Sequence, residues 1–187
     1  WVVVKDSGAT VAIVADTIGG ELAITSAGTT DNDGGSVQGN EIFAVAANKN
    51  MFFQTRVKNN DVDQTDMCFG FTVNFATNPE NMLTATDRIV FQVNDGDASI
   101  LCKTEKDGTE TSTDSGVDMV DNTYIKLGIS CEGTGRVEFF INDNLVATHG
   151  TNIPDDENLT IAAMSLSGSA SGTRATTIDY LMGARTR

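Results

Sequence analysis

Several residue types that mark common chemistries are scarce in this chain. Of 187 residues one is histidine, two are proline and three are cysteine, and only 6% are aromatic. Triads built on serine or cysteine would have to use the lone His149, and nothing around it resembles a nucleophile elbow. His149 therefore reads as a packed or exposed residue at a strand end. Cys68, Cys102 and Cys131 lack the CxxC spacing of a zinc site. They read as small buried hydrophobes, with one disulfide left open. Basic residues are also few, 12 Lys and Arg against 26 Asp and Glu, a formal charge of −14. Such a balance argues against direct nucleic-acid binding and against an anionic membrane surface. No apolar run approaches about 18 residues, so no spanning helix is expected. The chain opens on Trp1 without a legible signal peptide, which leaves a removed leader open.

What the sequence does contain is period-two alternation. Met67, Phe69, Phe71, Val73 and Phe75 share one parity, opposite Cys68, Gly70, Thr72 and Asn74. That predicts one strand, with one buried face, over Asp66 to Phe75. The same pattern runs through Met51 to Lys58, Tyr124 to Cys131, Val137 to Asn142 and Ile178 to Gly183. Asn94-Asp95-Gly96-Asp97, Asp107-Gly108, Gly133-Thr134-Gly135 and Asn142-Asp143-Asn144 supply the turns, since Asn, Asp and Gly accept the positive φ of tight hairpins. Hairpins imply antiparallel pairing. The expected fold is all-β, an antiparallel two-sheet sandwich, with residues 1–187 forming a single domain and Trp1 to Val4 set off as a possible arm. Glu41 to Ala47 is taken as a strand, Asn78 to Thr86 as a short helix or irregular loop, and Thr25 to Gln38 as a polar loop holding at most one edge strand.

Chemistry is harder to locate. A glycoside hydrolase needs two carboxylates flanking the bond it cleaves. The nearest matches are Asp61-Val62-Asp63, in a stretch that reads as a loop, and Glu105-Lys106-Asp107, which a turn cuts short. No full Glu-x-Asp-x-Glu run occurs, and no catalytic residue is assigned. Oxygen ligands for calcium gather at Asp31 and Asp33, at Asp61 and Asp63, and at Asp95 and Asp97. None completes an EF-hand loop, because Glu41 stands one position short of the twelfth place counted from Asp31. No other cofactor is indicated. Phe52, Phe140, Tyr124 and Trp1 are aromatic residues expected on outer faces; they suit sugar stacking, although a protein interface is the preferred reading.

Tyr124 to His149 (YIKLGISCEGTGRVEFFINDNLVATH) resembles the core hairpins of concanavalin A-like, laminin G-like jelly rolls. With Leu83 to Thr111, Tyr124 to Asn158 and the ending Ile178-Asp179-Tyr180, about half of the chain is similar to structural proteins of tailed bacteriophages. That resemblance implies a non-enzymatic head-decoration (cement) protein on the capsid surface. Its partner would be the major capsid protein, it would be a homo-oligomer with a trimer favoured, and it would bind no nucleic acid or membrane. The interface candidates are Trp1, Val2, Val3 and Val4. The alternatives are an adhesin module that binds host glycans and, behind it, a hydrolase using Asp61 and Asp63.

Overall fold

The two-residue turns set the architecture. Asp107 and Gly108 both take positive φ, 50° and 74°, and join β9 (Ser99–Lys106) to β10 (Thr109–Asp118). Asn142 and Asp143 do the same, at 49° and 68°, between β12 (Arg136–Ile141) and β13 (Asn144–His149). Such turns match the twist of the strands they connect. The structure, a computed structural model, describes residues 1–17, 19–75, 77–169 and 172–186.

The other strands are β1 (Val2–Lys5), β2 (Thr10–Val14), β3 (Glu21–Thr25), β4 (Gly34–Gln38), β5 (Phe43–Ala44), β6 (Asn50–Asn59), β7 (Thr65–Thr72), β8 (Arg88–Val93), β11 (Ile125–Glu132), β14 (Asn158–Ser167) and β15 (Ala175–Arg185). They form two antiparallel sheets. One has the order β1-β4-β14-β7-β8-β9-β10, with β5 added beside β14; the other runs β13-β12-β11-β6-β15-β3-β2. Two single-turn 3-10 helices, Val62–Gln64 and Pro79–Met82, are the helical elements of the described residues. No helix there is long and apolar enough to cross a membrane.

The core lies between the sheets. Phe53, Phe69, Phe71, Phe91 and Phe139 are fully buried, and edge-on ring pairs join Phe53 to Phe71 and, at 5.3 Å between centroids, Phe91 to Phe139. The alternation of β6, β11 and β12 appears directly in their burial: every second residue points inward.

Three segments depart from the sequence reading. The Thr25 to Gln38 stretch holds a central strand, not an edge strand: β4 sits between β1 and β14 and is buried throughout. Its glycines disguise it, yet they are what close packing needs: a Cβ on Gly34 would lie 2.1 Å from the Ser165 carbonyl oxygen. Only Phe43–Ala44 of Glu41 to Ala47 is extended as a strand. Most consequential, β7 stops at Thr72 and is buried on both faces. Phe75 leaves the inward row and packs on the opposite side of the sheet with Cys68, Met82, Val90, Ala162, Met164 and Leu166.

Candidate functional site

The outer face of the eight-stranded sheet divides into an apolar and a charged half. Cys68 on β7, Val90 on β8 and Ala162, Met164 and Leu166 on β14 form an apolar floor. The connection from β7 to β8 folds back over it, planting Phe75, Met82 and Leu83 on that floor. Gln38 of β4 holds one end of this covering segment. Its amide nitrogen donates to Asn74 Oδ1 at 3.0 Å, and its amide oxygen accepts from the Phe75 N–H at 3.3 Å. Arg88 holds the other end, with Nη1 donating to the carbonyls of Met82 at 3.1 Å and Leu83 at 2.6 Å.

Arg88 also organises the charged half. It is only 4% exposed. Its Nε donates to Glu105 Oε2 at 2.7 Å and its Nη2 to Glu110 Oε2 at 3.0 Å, while Lys103 Nζ reaches the same Glu110 oxygen at 3.1 Å. Glu105 and Glu110 are direct register partners on β9 and β10. Two carboxylates are thus fixed side by side on one face, with a guanidinium against both. The sequence showed Glu105 only as a fragment of a pattern. Its true partner lies across a hairpin, five places on, and hairpin register is what would have revealed it.

The outer face of the other sheet carries an open hollow of about 460 Å³. Gly128 of β11 forms its floor, flanked across the strands by Phe140 of β12 and Gln54 of β6. Phe52, 42% exposed, and Met182 are its apolar walls, and Lys126 and Asp143 sit at its polar rim. Phe52 and Phe140, singled out by alternation, therefore meet at one place. Tyr124 does not join them. Its ring is covered by the Arg56 guanidinium at 4.0 Å and the Lys58 ammonium at 4.5 Å, so its face is already used.

His149 is structural. Thr104 Oγ1 donates to the Thr151 carbonyl, so His149 Nδ1–H donates to Thr104 and Nε2 accepts from Thr113, both at 3.0 Å. The ring lies 5.1 Å from that of Phe139, and burial pushes its pKa below the usual histidine value. The three cysteines are free and buried. Burial pushes Cys68 and Cys102 up to about 12 and Cys131 up to about 11, which removes thiolate chemistry at neutral pH.

The acidic residues picked out for calcium or for hydrolysis are scattered in role. Asp61 Oδ2 lies 3.1 Å from Arg174 Nε. Asp63 follows it in the first 3-10 turn, and its carbonyl accepts from the Gly96 N–H. The Asp95 N–H donates to Asp66 Oδ1 at 3.0 Å, and Asp97 caps Ser99, whose N–H and hydroxyl hold its carboxyl below the usual range. Asp31 and Asp33 line a separate polar cavity with Asp6, Asn78 and Glu80. Among the described residues no three His, Cys, Asp or Glu side chains converge as a metal cluster. At the other end of the chain, Val2 to Val4 are not a free arm: they pair with β4, and Val4 is buried, while Trp1 is 70% exposed.

No family model matches the chain. No curated protein matches it either. Solved structures do. The alginate lyase AlyC3 superposes with a TM-score of 0.68 at 10% identity, over 94% of this chain and 78% of that one. A Bacteroides ovatus mixed-linkage glucan GH16 enzyme, solved with its G4G4G3G product, gives 0.64 at 10% identity, over 93% and 85%. A prokaryotic β-1,3-1,4-glucanase (lichenase) derived from a mouse hindgut metagenome gives 0.61 at 12% identity, over 86% and 78%. The fold is the concanavalin A-like jelly roll.

These likenesses correct two expectations. Each neighbour is a carbohydrate-active enzyme, and nothing in them supports a non-enzymatic capsid-decoration role. That role rested on short passages dominated by hairpin residues, which any jelly roll of this type needs. At such identities the likeness shows the fold alone, and no catalytic residue carries over from it.

Proposed function

We propose that the protein is a carbohydrate-active jelly roll that engages a polysaccharide at the hollow between Phe52 and Phe140. The supporting observation is that two phenylalanines, placed outward by strand alternation, flank a floor where Gly128 has no side chain, with Gln54, Lys126 and Asp143 beside them. Sugar rings present apolar C–H faces and polar edges, and this hollow offers the matching apolar walls and polar rim. The glycan is a neutral one. A chain of net charge −14 repels polyuronates such as alginate, the polymer named for one neighbour, and suits the uncharged glucans named for another. Isothermal titration against neutral β-glucans and against alginate tests this. Binding of a neutral glucan is expected, weakened at least tenfold by Phe52→Ala and by Phe140→Ala. Binding to none of the polymers, or equal binding by both variants, would sink the proposal.

A second reading, cleavage of the glycan, is favoured by the Glu105–Glu110 pair. Register partners on one face bring two carboxylic acids close together, and a retaining glycosidase needs two carboxyl groups flanking one bond. Release of reducing ends that disappears in both Glu105→Gln and Glu110→Gln would establish it. Release that survives both changes would remove it.

A further inference from the structure

Among the described residues, the strands hold glycine at positions 34, 35, 70, 116, 128 and 183. A glycine inside a strand weakens it, because it loses more freedom on folding and offers no side chain to pack. For most of these the fold supplies a reason. A Cβ on Gly70 would lie 2.3 Å from the Ile89 carbonyl oxygen, one on Gly183 would lie 2.7 Å from Ile161 Cγ2, and one on Gly35 would lie 3.2 Å from Lys5 Cβ. Gly34 is closed off by the Ser165 carbonyl, and Gly116 takes a positive φ of 70°.

Gly128 has no such reason. It lies inside β11, with Phe140 of β12 on one side and Gln54 of β6 on the other as register partners. Its φ lies outside the positive region. A Cβ placed on it would meet nothing closer than Phe140 Cβ at 3.7 Å and the Phe53 carbonyl oxygen at 3.9 Å, both ordinary van der Waals distances. The Phe140 ring does not lie across it either, since no ring atom comes nearer than these. Alanine, or valine with its strand preference, therefore suits the fold at this position. The space that such a side chain would take is the floor of the 460 Å³ hollow beside Phe52, Phe140 and Met182.

We propose that Gly128 is a specificity-determining residue of this hollow, its missing side chain setting the depth to which a sugar ring can settle onto β11. The inference rests on the glycan reading of the same hollow and deepens it. A glycine that the fold does not require marks a place where a ligand approaches the backbone closely. Both flanks of β11 are paired, so the floor is a satisfied peptide surface suited to the C–H face of a ring. Lys126 and Ser130, two places before and after Gly128, share its face of the strand and line the same hollow, where they can meet ring hydroxyls. A methyl group on the floor would lift the ring, and a branched side chain would fill its seat.

The test pairs thermal unfolding with calorimetric titration of a soluble neutral β-glucan, for the parent, Gly128→Ala and Gly128→Val. Gly128→Ala raises Tm by about 1–4 °C. The same change weakens glucan binding roughly tenfold, the usual effect of one extra carbon in a fitted pocket. Gly128→Val keeps Tm at or above that of the parent and weakens binding further, by roughly a hundredfold. Stability held or gained while affinity falls is the distinguishing result, because a glycine needed for packing would lose both. A Tm lowered in both variants would overturn the proposal by showing that the fold itself requires glycine. So would a parent that binds glucan with both variants binding equally well; that result leaves the glycan reading standing on Phe52 and Phe140. A parent that binds no glucan removes the glycan reading and this inference with it, whatever the Tm values.

Discussion

Arg88 and Glu105 face each other across β8 and β9 as direct register partners, joined by an Nε–Oε2 contact of 2.7 Å. Both side chains are mostly shielded from water. The pair sits where the covering segment meets the charged half of the sheet, so it answers to both.

Replacing Arg88 therefore does more than delete one charge. Arg88→Met leaves Glu105 shielded and without its guanidinium, and it frees the Met82 and Leu83 carbonyls. Breaking one side of such a pair costs about 3–5 kcal/mol. For a chain of this size that lowers Tm by roughly 6–20 °C. The double variant Arg88→Met with Glu105→Met recovers part of the loss, because no carboxylate is then stranded. Thermal unfolding of the parent, both single variants and the double variant closes the cycle. A double variant as unstable as the sum of the singles would contradict the coupling.

The covering segment is held by packing as well as by Arg88. Met82 is fully buried on the outer side of the sheet, away from the main core. Met82→Ala is expected to cost about 2–5 kcal/mol, with a local signature. Amide exchange quickens in residues 77–83, and a fluorescent apolar dye binds the bared Ala162, Met164 and Leu166. Exchange that speeds uniformly across both sheets would show instead that this small outer cluster is not a separate unit.

Acidification probes the inter-sheet contact at His149. Burial lowers its folded pKa below the unfolded value near 6.5. Its contribution is therefore complete above that value and is lost as pH falls below it. Chemical denaturation at pH 7.5 and pH 5.5 should show the parent losing stability relative to His149→Gln, which cannot titrate. An unchanged difference between the two pH values would refute the neutral, doubly hydrogen-bonded ring.

Much of the scaffold was legible because alternation and turn chemistry are local. Val137, Phe139 and Ile141 face inward as their parity requires, and Asp107-Gly108 and Asn142-Asp143 turn as their composition requires. What escaped was non-local. Gly34-Gly35-Ser36 offers no apolar signal, and its burial is fixed by partners near residue 165. Phe75 continues the parity of β7 but belongs to another layer, since the chain bends away after Thr72. The same limit governs the sites. Phe52 and Phe140 were visible one by one, but their meeting over Gly128 depends on the pairing of β6, β11 and β12. Glu110 carried no signal until β10 was set beside β9. Asp33 read as one oxygen-bearing residue of an acidic loop, and nothing local marked its carboxylate for burial without a hydrogen-bond partner.

The order of strands has a consequence for how the molecule is made. Beyond their local partners β2 and β1, β3 pairs with β15 and β4 with β14, so these early strands close on segments about 120 to 150 residues further along. Closing such distant pairs is slow, because loop entropy is lost before any contact repays it. On the ribosome, β3 and β4 must wait, solvated and without those partners, until the segments beyond residue 158 have emerged. β15 then enters between β3 and β6 as the last strand of its sheet. The strand that closes this sheet is therefore the latest of its strands in chain order, and a chain halted before residue 175 would leave β6 and β3 as two open edges inviting aggregation.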